Sequence, residues 1–104
     1  MAQEYTKVAQ TDEVPPGSMK QVEVGGDLVA LINVDGEFYA IGGECTHAGG
    51  LLSEGYLEGH QVECPLHGGI FNVRTGDAES PPPDENVPVY QVKIEGGDIL
   101  IAPS

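Results

Sequence analysis

The run Leu28-Val29-Ala30-Leu31-Ile32-Asn33-Val34-Asp35-Gly36-Glu37-Phe38-Tyr39-Ala40-Ile41 decides the fold class. Its first half is apolar except for Asn33 and shows no polar alternation, as expected of a central strand covered on both faces. Asp35-Gly36 supplies the two left-handed positions of a type I′ turn, so Phe38 to Ile41 is expected to return as the antiparallel partner.

The same grammar continues outward in both directions. Met19 to Val24 alternates, with Val22 and Val24 opposite Gln21 and Glu23, and Gly25-Gly26 offers a two-residue turn into the central strand. Before it, Asp12-Glu13-Val14-Pro15-Pro16-Gly17 is a loop, because consecutive prolines cannot donate to a ladder. Tyr5 to Ala9 reads as an edge strand. Near the other end Pro88, Tyr90, Val92 and Ile94 alternate with Val89, Gln91, Lys93 and Glu95, and Gly96-Gly97 turns the chain into Ile99-Leu100-Ile101. With 15 glycines, 8 prolines and apolar residues arriving in short runs, the 104 residues predict one all-β domain of short antiparallel strands.

These strands bracket a Gly-rich middle, Gly42 to roughly Gly76, which holds two short pairs: Cys45-Thr46-His47 and Cys64-Pro65-Leu66-His67. Sixteen residues separate His47 from Cys64, and the chain has no other cysteine. Each pair joins one sulfur donor to one nitrogen donor. Such a set suits a binuclear centre in which one metal takes sulfur and the other nitrogen, as when His₂ replaces Cys₂ on one iron of a [2Fe–2S] cluster. Gly42, Gly43, Gly49, Gly50, Gly68 and Gly69 surround the pairs and allow backbone to approach a ligand closely.

Other chemistries compete for these residues. Zinc also accepts Cys₂His₂, although structural zinc sites usually pair like with like, and here the order is Cys, His, Cys, His. The two cysteines could form a disulfide, but each lies just before a histidine and nothing in the sequence suggests secretion. A Cys/His nucleophile would not need the duplication of Cys64 and His67 by Cys45 and His47. His60 has no neighbouring ligand type and reads as a solvent-facing loop histidine. The chain lacks a phosphate loop, a dinucleotide fingerprint and a carboxylate dyad, so it shows no means of collecting a substrate of its own.

Seventeen acidic residues against four basic ones give a formal charge of −13, which argues against nucleic acid as a partner. No Lys or Arg occurs from Gln21 to Val73, while Glu44, Glu54, Glu58 and Glu63 fall near the ligand pairs. This is either an ordinary solvated acidic surface or a means of steering toward a basic patch on a partner, and steering would weaken as salt rises. The N-terminus lacks a positive region followed by an apolar stretch, and no run approaches the ~18 apolar residues of a membrane span, so a cytoplasmic, membrane-free chain is expected.

Over its whole length the chain resembles the Rieske-type ferredoxins of bacterial multicomponent aromatic-ring-hydroxylating dioxygenases. The likeness rests on Val14-Pro15-Pro16-Gly17, Phe38-Tyr39-Ala40-Ile41, both ligand pairs, Gly68 followed by Phe71, Thr75-Gly76, and Pro81-Pro82-Pro83 leading to Val87-Pro88-Val89-Tyr90. It implies a Rieske fold: an antiparallel β-sandwich or barrel base, about residues 1–41 and 77–104, with an inserted cluster-binding subdomain of about 42–76. It implies one [2Fe–2S] cluster held by Cys45, His47, Cys64 and His67, with the cysteines on the inner iron, the histidines on the outer, and the proline segment covering one side. It further implies a non-enzymatic one-electron carrier that docks transiently with an NAD(P)H-dependent flavin reductase and a terminal oxygenase, while the strong net charge and small size favour a monomer. The alternative is a small Rieske-fold subunit held permanently in an enzyme such as assimilatory nitrite reductase.

The chain departs from the high-potential Rieske proteins of respiratory and photosynthetic complexes. Those carry an extra cysteine in each ligand loop, where this chain has Gly50 and Leu66, and a serine and tyrosine bonded to cluster sulfur, where it has Gly69 and Phe71. Hydrogen bonds to sulfur favour the reduced, more negative cluster, so their loss lowers the potential, by about 59 mV for each 1.4 kcal/mol. The expected potential is near the low end of the Rieske range, roughly −150 mV. Voltammetry of Gly69→Ser should show a rise; an unchanged or lower value would remove the hydroxyl argument.

Overall fold

The computed structural model describes residues 5–44, 51–65, 69–80 and 86–102. Among them the larger sheet is formed by β1 (Thr6–Gln10), β2 (Met19–Val24), β3 (Asp27–Val34), β4 (Glu37–Gly42), β9 (Val89–Glu95) and β10 (Asp98–Ala102). Its order is β1-β10-β9-β4-β3-β2, antiparallel throughout. The sheet curls until its two edge strands, β1 and β2, lie against one another. A smaller antiparallel sheet is formed by β5 (Tyr56–Glu58), β6 (Gln61–Glu63), β7 (Ile70–Asn72) and β8 (Ala78–Ser80), in chain order.

Three hairpins of the larger sheet turn on the same device. Val24 pairs with Asp27, Val34 with Glu37 and Glu95 with Asp98, leaving two-residue loops. Both loop positions have positive φ in each case: Gly25 and Gly26, Asp35 (53°) and Gly36, Gly96 and Gly97. That is the type I′ signature, whose twist matches that of the strands. The turn chemistry therefore fixes register, and register sends alternate side chains to opposite faces.

On β3 both faces are buried, as the apolar run requires. Val29 and Leu31 point into a cluster with Val14, Val22, Val24, Ala40, Tyr90, Ile99 and Ile101, enclosed by the curled larger sheet. Ala30, Ile32 and Val34 point the other way, with Ile41, into a second cluster completed by Leu52, Val62, Phe71 and Val73 of the smaller sheet and its approaches. Full burial of each large aliphatic side chain contributes about 1.5–3 kcal/mol, so β3 alone links two cores of substantial energy. On β9 the alternation holds only in the middle. Tyr90 is buried, but Ile94 is 46% exposed because the strand end runs past the core.

Asn33, the polar exception in the central run, is 3% exposed and fully used. Its Nδ2 donates to the Val14 carbonyl (2.7 Å), and its Oδ1 accepts from the Gly36 N–H (2.7 Å). Its backbone N–H donates to Ser18 O (3.1 Å), and its carbonyl accepts from Gly17 N (2.8 Å). One side chain thus ties the Asp35-Gly36 turn to the proline loop. No helix among the described residues is long and apolar enough to cross a membrane.

Asn33→Ala leaves a buried carbonyl and a partly buried N–H without partners. Urea unfolding should show a loss of about 2–4 kcal/mol, and a change within about 0.5 kcal/mol would contradict this role.

Candidate metal centre

The first ligand loop rises from a closed stem. At the end of β4, Gly42 N donates to Pro88 O (2.8 Å) and Gly43 N to Leu28 O (2.9 Å), holding the chain against both neighbouring strands. Glu44 then forms an antiparallel bridge with Leu51, and Leu52 N donates to Gly43 O (2.9 Å). A single 3-10 turn, Leu52–Glu54, follows, closed by Gly55 N to Leu52 O (3.0 Å), with Leu52 completely buried. Cys45 and His47 belong to the segment between the bridge partners, which lies outside the described residues together with Gly49 and Gly50.

The second loop has a matching base. Strand β6 ends at Glu63 and delivers Cys64, whose N–H donates to Gly69 O (2.7 Å) just before β7 begins. Leu66, His67 and Gly68 lie outside the described residues, as do Pro81, Pro82 and Pro83. Cys64 is 1% exposed and belongs to the same core cluster as Leu52, Val62, Phe71 and Val73. Leu52 of the first stem and Cys64 of the second therefore share one apolar core.

This setting fits an iron–sulfur group. A thiolate withdrawn from water needs a cation beside it, which iron supplies, and the dry wall keeps solvent from that side of the sulfur. Gly69 is buried with its carbonyl accepting from the Cys64 N–H, and Phe71 is fully buried; neither residue type carries a hydroxyl.

The carboxylates near the loops remain uncompensated among the described residues. The ion pairs there are Lys7–Asp98 (3.2 Å), Lys20–Glu13 (3.6 Å) and Lys93–Glu95 (3.1 Å), all on the larger sheet or its loops. Glu44, Glu54 and Glu58 are exposed and Glu63 half-buried. Across the strands from Glu63 stands Tyr56, 68% exposed.

His60 differs from its expected solvent-facing place. It is half-buried in the β5–β6 turn, with its ring edge-on to Tyr39 (centroids 5.7 Å apart). The Arg74 guanidinium contacts its ring nitrogens at 3.0 and 3.2 Å, and its carbonyl accepts from Val73 N (2.9 Å). Chain reversal after β7 brings Arg74 back over it, a contact no local spacing announces. Sequence motifs also pass over Gly55, which abuts Glu63 and joins the two stems. Its only signal is a glycine where no turn calls for one.

Comparison with known proteins agrees with this arrangement. The Rieske [2Fe-2S] domain family matches residues 4–91. The biphenyl dioxygenase ferredoxin subunit of Pseudomonas sp. (strain KKS102) is 53% identical over 98 residues, covering 93% of this chain and 90% of the relative. A solved complex of reduced oxygenase and oxidized ferredoxin in carbazole 1,9a-dioxygenase contains a chain of 38% identity and TM-score 0.89, with 97% and 94% coverage. A chain assigned as an NADH-dependent nitrite reductase small subunit from Mycobacterium tuberculosis has TM-score 0.89 at 26% identity, with 100% and 98% coverage. With the Rieske domain matched over residues 4–91 and 53% identity over 98 residues to a dioxygenase ferredoxin, this chain belongs to the Rieske [2Fe-2S] family, among the small ferredoxins of aromatic dioxygenase systems.

Proposed function

We propose that the protein is the ferredoxin of a multicomponent aromatic-ring oxygenase. It takes one electron at a time from an NAD(P)H-dependent flavin reductase and delivers it to the terminal oxygenase. The observation that carries this reading is the 53% identity, along nearly the whole chain, to a biphenyl dioxygenase ferredoxin subunit. Cys45 and Cys64 would hold the inner iron and His47 and His67 the outer iron of one [2Fe–2S] cluster, which supplies a one-electron couple when bound. In domain terms, residues 1–41 and the chain after β8 form the base of a single Rieske unit; the cluster-binding part, expected at about 42–76, extends to residue 80, because β8 (Ala78–Ser80) pairs with β7 in the smaller sheet.

The chain's own contribution is environment and presentation. Leu52, Val62, Phe71 and Val73 pack around Cys64 and keep that side dry, which leaves the opposite side of the site for electron exchange. The absence of hydroxyls at Gly69 and Phe71 sets a low potential suited to a flavin donor. Exposed carboxylates at Glu44, Glu54 and Glu58, without ion-pair partners among the described residues, favour encounter with basic partners through small, transient interfaces. A monomer in the cytoplasm, where nicotinamide donors are found, completes the reading.

Reconstitution with reductase and oxygenase is the test. Aromatic substrate oxidation should require this protein, and the rate of its reduction should fall about tenfold between low and ~0.5 M salt. Stable copurification with one large partner would favour the permanent-subunit alternative instead. Cys64→Ser should abolish the visible chromophore. His60→Ala should leave the spectrum unchanged while costing about 1 kcal/mol of stability from its lost ring contact; a bleached spectrum would make His60 a ligand and contradict the assignment.

A further inference from the structure

The first stem is wedged between the two sheets, and glycine occupies both points of contact. Toward the larger sheet, a Cβ on Gly43 would come within 3.0 Å of the Leu28 carbonyl carbon and the Val29 nitrogen. Toward the smaller sheet, a Cβ on Gly55 would overlap the Glu63 carbonyl oxygen. The backbone at Gly55 is extended, with φ −86° and ψ −153°, and has no positive φ. The close approach to Glu63 is therefore what calls for glycine there, unlike Gly97, which has φ +90° and open surroundings.

We propose that Gly55 is a positioning residue for the metal centre: having no side chain, it lets the base of the first stem seat directly on Glu63, one residue before Cys64, and so sets the separation between that stem's base and Cys64. The inference rests on the ligand assignment proposed above. A methyl group at Gly55 would have to part the two backbones by roughly an ångström or more to reach ordinary contact. Functional constellations must be held within about 0.5 Å of their working geometry, so the displacement matters.

Neither neighbour can absorb the shift elsewhere. The 3-10 turn cannot retreat, because Leu52 is fully buried, its N–H is bound to Gly43 O, and Gly43 already abuts β3. Glu63 is paired on both sides, with Tyr56 and with Ile70. The strain passes to the next residue of β6's chain, which is Cys64.

The test compares wild type, Gly55→Ala and Gly97→Ala as purified, iron-loaded proteins. Wild type is read first: without a rhombic signal on dithionite reduction, the ligand assignment itself fails. Given that signal, Gly55→Ala should shift the g values or midpoint potential and shorten the lifetime of the chromophore several-fold. Gly97→Ala, strained at a β9–β10 turn position, should melt earlier with a wild-type spectrum. Wild-type g values, potential and lifetime in Gly55→Ala overturn the proposal, even if that variant melts earlier. Should Gly55→Ala not fold, Leu52→Val, which trims the side chain seating the same turn beside Cys64, should broaden the signal and shorten the lifetime. An unaltered Leu52→Val spectrum then overturns it.

Discussion

Strand β3 must be covered on both faces, and the rest of the molecule answers that requirement. Six apolar residues in seven, with one satisfied asparagine, leave no face for water. One face is covered by the larger sheet curling on itself until β1 reaches β2. The other would stay exposed without the smaller sheet, whose strands of three residues each could not persist alone. The smaller sheet exists because β3 gives it an apolar surface, and its Val62, Cys64, Phe71 and Val73 repay that by closing the second core.

The same core places the candidate ligand loops. Cys64 is a core residue in its packing and, on the proposed assignment, a ligand in its chemistry, so burial of the second sheet and siting of the sulfur are one event. Leu52 does the equivalent for the first loop, anchoring its stem among the same side chains. Loops that carry function usually sit on a rigid scaffold. Here the scaffold is a shared apolar interior plus backbone contacts at Gly43 and Gly55, where side chains would only push the parts asunder.

Much of the larger sheet is legible in the chain. Gly25-Gly26, Asp35-Gly36 and Gly96-Gly97 announce their turns because two consecutive left-handed positions demand such residues, and the strands on either side follow from period-two patterning. The candidate ligand set can be proposed from sequence alone, since Cys-x-His and Cys-x-x-His leave few chemistries open, but of its four residues only Cys64 lies among the described residues. Strands β5 to β8 are not legible, because three residues cannot display an alternation and their pairing is set by what they cover. The same holds for His60, whose ring is placed by Tyr39 of β4 and Arg74 of the turn after β7, and for Ile94, whose strand outruns its core. Gly55 hides for a different reason: its role is a through-space fit between segments, which leaves no local pattern.

Two cysteines and two histidines are proposed to hold a binuclear iron centre in mixed ligation. Pulsed electron paramagnetic resonance on the dithionite-reduced protein tests it most directly, because directly bound imidazole nitrogen couples to the unpaired spin. Two distinct nitrogen couplings are expected, from His47 and His67, with the signal lost on replacing either residue. A reduced centre without strong nitrogen coupling, or a chain holding zinc and no iron, would contradict it.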